Sequence, residues 1–367
     1  MAQYIRNFGI LLVFCAAIAL AACQDTARTE QASKEQASKE QPDKEQPDKK
    51  QADLPTVGIL VYDASDVYIA LVQAAMLKEL EGRATVQVAY AEGDARRQKN
   101  QMETMLRADV DGLIIYLATT QGFPAFLETI RKADVPVVFV NHEPDLALLK
   151  RYEKACYVGT NSEESGIMQG EIIKKLWDAH PEYDRNSDNK FQFVMLDGPI
   201  SSTEALHRTE YSISRARDLG VFMEQVGPDL VCNWLQDEAF KNMKQVLASG
   251  IGNIEIIVSN NDTMALGAIE ALAEIGYNRK GGPADKFIPV VGVDAVPDAV
   301  AAIENGVMSA TVEQDAGETA RVTVACLLNG MAGKDFLDGL QLKWDSSGVA
   351  IRLPFNAHGD INLFPQQ

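Results

Sequence analysis

Residues 184–192, DRNSDNKFQ, place Asp184, Asn186 and Asp188 at alternate positions, and Lys190 and Gln192 continue the stride. Side-chain oxygens at positions 1, 3, 5 and 9 of a loop, with a backbone carbonyl at position 7, form the donor pattern that surrounds calcium in an EF-hand. The pattern breaks at position 12, where a bidentate glutamate is required and the chain has Met195, inside the apolar run FQFVML. By itself the loop is either a polar turn of the kind Asp and Asn favour or a cation site completed by a carboxylate distant in sequence.

The ends of the chain bound what such a loop serves. MAQYIRNFGILLVFCAAIALAAC has one basic residue, Arg6, and an apolar run ending on small residues, which is the form of a secretory signal. Its last residues, LAAC, resemble the bacterial lipobox, so residues 1–22 are expected to be a signal peptide and Cys23 the acylated first residue of a mature lipoprotein. Residues 23–55 include EQASKEQASKEQPDKEQPDKK, a run of near-identical five-residue units with no apolar side chain larger than alanine. Such a run buries nothing to offset the entropy of ordering it. It is expected to be a solvated tether reaching roughly 30 Å from a bacterial membrane into the periplasm or extracytoplasmic space.

The body, residues 56–367, is long enough for two medium domains, and 46% of the chain is hydrophobic. A net charge of −18 with no basic stripe excludes a nucleic-acid partner. Cys156, Cys232 and Cys326 lie beside apolar residues without zinc-like spacing. They are read as buried small hydrophobes, with one disulfide among them as the alternative.

Elements alternate along the body. TVGILVY, ATVQVAYA, VDGLIIYL and VPVVFVN read as strands, and VYIALVQAAMLKELEG, DARRQKNQMETMLRA and GFPAFLETIRKA as helices between them. After Cys156 the rhythm restarts, with strands KFQFVMLDG, DLVCNWL, IEIIVSN, IPVVGVD and MSATVEQD, each preceded by an amphipathic helix. The expected fold class is α/β, two doubly wound lobes of parallel sheet. Ligands of such sheets sit beyond the carboxyl ends of the strands, here YDASDVY, DGPISSTE, NWLQD, SNNDT, GVDAVPD and VEQD.

In these loops and their flanks the chain resembles a known family. VGILVYDASDVYIALV, DVPVVFVNHEPD, CYVGTNSEESGIMQGEII, VSNNDTMALGAIEAL and VVGVDAVPDAV are similar to the periplasmic galactose/glucose-binding proteins, sugar receptors of ABC importers, from about Val57 to the C-terminus. The resemblance implies a type I periplasmic binding protein fold with three crossovers between lobes, near Val135, Gln314 and Gly348. Lobe 1 is then residues 56–135 and 316–348, and lobe 2 residues 136–315 and 349–367. It implies a structural Ca2+ held by Asp184, Asn186, Asp188, the Lys190 carbonyl and Gln192, with Glu255 in NIEIIVSN replacing the missing twelfth position. Asn189 stands where the family has glycine. For the sugar it implies Asp66, Arg208, Asn261 and Asp294 on the hydroxyls and Tyr68 and Trp234 on the ring faces. Four positions depart from the pattern: Tyr116 stands for an amide, Ser202 for a histidine, Glu204 for an aspartate and Gln314 for an asparagine. His207, beside Arg208, is read as a solvated neighbour.

The function so implied is capture of a hexose, D-glucose or D-galactose, by a monomeric, lipid-anchored receptor that delivers it to ABC permease subunits. Binding of a pentose or an inositol and presentation to a chemoreceptor are the alternatives on the same fold. An enzyme is not expected. Asp66 and Asp294 could pair as in a glycosidase, but no nucleophile–base arrangement or phosphate loop accompanies them. A LacI-type regulator would need a helix-turn-helix where the signal and tether stand.

Overall fold

A computed structural model describes residues 54–250, 252 and 254–359. The expected signal peptide, the lipid-bearing Cys23 and the tether lie outside them. The first passage of the chain runs β1 (Thr56–Val61), α1 (Val67–Leu80), β2 (Thr85–Tyr90), α2 (Ala95–Arg107), β3 (Gly112–Ile115), α3 (Phe123–Ala133), β4 (Val137–Val140), α4 (Leu146–Leu149) and β5 (Ala155–Gly159). The second runs α5 (Ser162–Ala179), β6 (Phe191–Asp197), α6 (Thr203–Asp218), β7 (Met223–Gln225), β8 (Leu230–Val231), α7 (Gln236–Ala248), β9 (Ile256–Ser259), α8 (Asp262–Glu274), β10 (Val290–Asp294), α9 (Pro297–Glu304) and β11 (Ala310–Glu313). Then come α10 (Ala316–Met331), β12 (Ala350–Arg352) and β13 (Asn356–Gly359).

These strands make two sheets, ordered β12-β5-β4-β3-β1-β2 and β13-β11-β10-β9-β6-β7, with β8 continuing the far edge beside β6. All pairings are parallel except β13 on β11. Alternation along the strands sends side chains to both faces, and each face is sealed by helices. Val57, Ile59 and Val61 pack under α1 and α10, and Leu60 from the same strand joins Leu113, Ile115 and residues of α2 and α3. The second sheet repeats the arrangement, with α7 and α8 on one face and α5 and α6 on the other.

The lobe boundaries differ from the sequence expectation at two of three places. β4, β5 and β12 belong to the first sheet, so the first crossing is at Thr160–Asn161, not Val135, and the third is at Pro354, not Gly348. The second crossing is at Gln314–Asp315. The reason is register: β4 and β5 extend the ladder that β3 starts, with Leu113 opposite Val137 and Val137 opposite Ala155. Leu353 still lies in the first lobe's core and Phe355 is in the second's.

A strand over DLVCNWL is also not formed beyond Leu230–Val231. Asn233 and Trp234 both take left-handed backbone angles, φ 51 and 68, which end the strand and swing the tryptophan inward.

Candidate functional site

The carboxyl ends of the strands gather polar residues between the lobes, and several of these residues first serve as helix caps. Asp66 caps α1, Ser202 caps α6, Asn261 caps α8 and Asp315 caps α10, each accepting from a backbone N–H of its helix. A cap fixes side-chain direction and stabilises the helix by about 1 kcal/mol, so these loops are held before any ligand arrives.

On the first lobe Asp66 accepts from Ile69 N at 3.1 Å and from the Tyr62 hydroxyl at 2.5 Å. Burial, and then the Asp66 charge, push the Tyr62 phenol well above its ordinary value. The Tyr62 ring lies 4.6 Å from the imidazole of His142, and His142 Nδ1 donates to the Leu117 carbonyl at 2.7 Å. The Tyr68 ring is buried in the first lobe's core, its hydroxyl 3.3 Å from Thr319 Oγ1 and close enough to Asp294, Gln314 and Arg208 to be influenced by each.

On the second lobe Arg208 is the central group. The residue is 6% exposed, and its guanidinium donates from Nη1 to the Asn260 carbonyl at 2.8 Å and from Nη2 to Gln314 Oε1 at 3.2 Å, and leaves Nε without a hydrogen-bond partner. Asp294 Oδ1 is 3.7 Å from Nη1, an ion pair beyond hydrogen-bond length. Burial drives the Asp294 carboxyl well above its usual range against the pull of Arg208, and the charges of Asp262 and Asp66 add to the rise. Asp294 is not a helix cap, since α9 is capped at Val296; its φ of 118 is instead a strained angle for a side-chain-bearing residue. Trp234 lies 5.8 Å below the Arg208 guanidinium and flat against Gly198, where an added Cβ would stand 2.3 Å from the ring. Asn261 Nδ2 reaches the Trp234 carbonyl at 3.4 Å. Glu204, in the first turn of α6, accepts from Ser202 Oγ at 2.8 Å. Burial raises the Glu204 carboxyl, but His142 across the cleft, its own N–H, Ser202 and Arg208 together hold it below the ordinary value.

Residues 57–335 match the periplasmic binding protein domain family. This chain is a periplasmic binding protein. A D-galactose/methyl-galactoside binding periplasmic protein of Haemophilus influenzae is 32% identical over 310 residues, 84% of this chain and 90% of that one. A putative rhizopine-binding protein of Rhizobium meliloti is 28% identical over 65% of this chain and 71% of its own. Among solved structures, an ABC transporter solute binding protein from Bacillus halodurans with bound myo-inositol matches with TM-score 0.68 at 23% identity, covering 86% of this chain and 98% of that one; this likeness bears on fold alone. The periplasmic binding protein described here is thus an extracytoplasmic substrate-binding protein and not an enzyme.

One of the ten residues expected at the sugar, Tyr116, is turned elsewhere, and the Ser202 hydroxyl is engaged within its own turn. Tyr116 is fully buried in the first lobe's core with its hydroxyl on Met76 Sδ at 3.7 Å, because a phenol at this position reaches past the cleft and under α1. Ser202 spends its hydroxyl on the Ala205 N–H and on Glu204. His207 faces α5, 2.8 Å from Ser162 Oγ. The periplasmic binding protein also brings in residues that sequence reasoning missed: Tyr62, His142 and Asn260. Tyr62 and His142 follow β1 and β4 at strand ends, so the strand-end rule alone points to them. A large open groove of about 710 Å³ over β2 and α2 lies on the outer flank of the first lobe and includes none of the cleft residues.

The loop at 184–192 sits at the opposite end of β6. Asp184 accepts from the N–H groups of Asp188 and Asn189 at 3.1 and 3.0 Å, Asn186 from Asp188 at 2.9 Å and Asp188 from Lys190 at 3.0 Å. Ser187 and Asn189 are left-handed, φ 59 and 60. Glu255, 1% exposed, accepts from Arg185 N at 2.6 Å and Gln192 N at 3.1 Å. Gln192 Oε1 is buried with no hydrogen-bond partner. The Lys190 ammonium turns out to Glu224, 2.8 Å away. Among the described residues no three His, Cys, Asp or Glu side chains converge closely enough to define a metal site on their own.

Proposed function

We propose that this periplasmic binding protein captures a hexose, D-glucose or D-galactose, between its lobes and delivers it to the membrane subunits of an ABC permease. The observation that carries the reading is Arg208: a buried guanidinium with two nitrogens held by the protein and Nε–H left over, beside the Trp234 face and the Asp294 carboxylate. A pyranose offers what this set lacks, an oxygen for a buried donor, hydroxyls for carboxylates and a C–H face for an indole. Asp66 and Tyr62 bring matching acceptor and donor groups from the other lobe. Binding of a pentose or an inositol is the second reading, kept because Tyr116, which stands for an amide, turns its hydroxyl to Met76 and leaves one polar group fewer to select a hexose. We assign the mature N-terminus to a lipid on Cys23.

The loop of residues 184–192 is proposed to hold Ca2+ through Asp184, Asn186, Asp188, the Lys190 carbonyl, Gln192 and Glu255. The donor set is all oxygen, as a hard cation requires, and each carboxylate oxygen that accepts one N–H keeps a second lone pair. The orphaned Gln192 Oε1 fits the same occupant. When bound, the ion would supply positive charge to the Asp184, Asp188 and Glu255 carboxylates.

Calorimetric titration of protein freed of co-purified ligand tests the hexose reading. One-to-one binding of glucose or galactose is expected, and Asp66→Ala weakens it about 10- to 100-fold, the loss of one or two hydrogen bonds to a charged group. Absence of heat with both hexoses, with binding of myo-inositol or a pentose instead, replaces the reading with the second.

A further inference from the structure

We propose that Cys156 and Cys326 are joined by a disulfide in the exported protein, fastening together the two separate passages of the chain that build lobe 1. Cys156 lies on β5, opposite Val138 of β4, and Cys326 lies on α10, the helix that packs over β3, β4 and β5. Both are fully buried in the same core cluster, and the Cys156 thiol stands against that of Cys326. Cys232 is elsewhere. It belongs to the second lobe's core, where it donates to the Leu230 carbonyl at 3.1 Å and accepts from Asn242 Nδ2 at 3.4 Å. The three thiols are unbridged in this structure, yet they sort into one facing pair and one engaged single residue.

The compartment supplies the chemistry, and the proposal rests on the extracytoplasmic location. There, a thiolate of the pair attacks the disulfide of an extracytoplasmic thiol oxidase, giving a mixed disulfide and releasing one oxidase thiol. The second thiolate then displaces the oxidase sulfur. The protein loses two electrons and two protons, and the oxidase disulfide is reduced to a dithiol. Burial pushes the Cys156 thiol well up, and Cys326 beside it adds to the rise, so exchange is slow once α10 has closed over β5. The bond therefore forms during folding after export, when both sulfurs are still open to the oxidase. It ties residues 56–159 to the segment that returns at 316, on either side of the whole second lobe.

The full chain, exported with its own signal and recovered from the extracytoplasmic fraction without reductant, is denatured in excess alkylating agent and digested. The expected result is alkylation of Cys232 alone, with the Cys156 and Cys326 peptides recovered as one linked species, two hydrogens lighter than their sum, that separates on reduction. Reductant added to the native protein is expected to leave the bond intact, and reductant present during melting to lower Tm in wild type but not in Cys156→Ala/Cys326→Ala. Alkylation of both Cys156 and Cys326 without prior reduction overturns the proposal. Signal removal and fractionation, read on the same sample, separate that result from a failure of export.

Discussion

Asp262 shows how a residue that touches no ligand sets the conditions of the site. Its carboxyl is fully buried, accepting from Thr311 Oγ1 at 2.6 Å and from Val296 N at 3.0 Å. It presses so close to β10 that a Cβ at Gly292 would stand 2.1 Å from Oδ1. Burial pushes its pKa up to about 7, against the hydrogen bonds and Arg208, which lower it. Burial likewise raises Asp197, held by Thr209 at 2.5 Å, to about 6. An aspartate in the unfolded chain titrates near 3.9, so the folded state binds these protons more tightly. The stability they contribute is fully present below about pH 4 and is lost as pH rises through about 6 to 7. Sugar-free protein is therefore expected to melt at progressively lower temperature from pH 5 to pH 8. Asp262→Asn, which keeps the shape and removes the titration, flattens that slope. Thermal melts of both forms across this range check it, and equal slopes would sink the argument. SNNDT marked this loop in the sequence, but no spacing distinguished Asp262, which lies beneath the site, from Asn261, which lines it.

Between elements, position along one strand separates the two functions of the second lobe. β6 starts at the 184–192 loop and ends at the Asp197–Ser202 loop that faces the cleft. Its seven residues span about 20 Å at 3.3 Å per residue. The cation proposed there would fasten the start of β6 to Glu255, just ahead of β9, at the far end of the strand from the cleft. Chelation is expected to lower Tm by several degrees while hexose affinity changes less than about threefold, a few tenths of a kcal/mol. Elemental analysis should find one calcium per chain, and Glu255→Gln should remove the response of Tm to calcium. A Tm indifferent to calcium in wild type would end the proposal. What the alternation of Asp184, Asn186 and Asp188 made legible is a polar turn in which these side chains accept from the loop's own N–H groups. Asn189 adopts the left-handed angle that the family glycine would. The break at Asn233 and Trp234 was not legible: DLVCNWL reads as an apolar run of strand length, and the left-handed turn that places the indole beneath Arg208 leaves no mark in it.

At the scale of the whole molecule the alternation of strands and helices announced two parallel sheets, but not which sheet each strand joins. VPVVFV and CYVG carry the same apolar run whether they extend the first sheet or open the second, so the crossings at Thr160–Asn161 and Pro354 had no signal of their own. Those crossings matter because three short segments are all that carries the chain between lobes, and closure must be stabilised by contacts made across the cleft. One contact is apolar: Leu71, on α1, packs against the second lobe's core cluster, which includes Trp234. An open form exposes that side chain to water. Leu71→Ala should therefore cost the closed form about 1 kcal/mol and leave the open form nearly untouched. Hexose affinity is then expected to fall about fivefold, mainly through faster dissociation, with the ligand-free Tm within about a degree of wild type. Stopped-flow kinetics and calorimetry read the first effect, and small-angle scattering reads the shift toward the open form as a larger radius of gyration at subsaturating sugar. If Leu71→Ala lowered the ligand-free Tm as much as the ligand-bound one, the side chain would be supporting lobe 1 itself. The energy of closure would then have to come from the sugar, from the Glu204 and His142 pair across the cleft and from the buried network around Arg208.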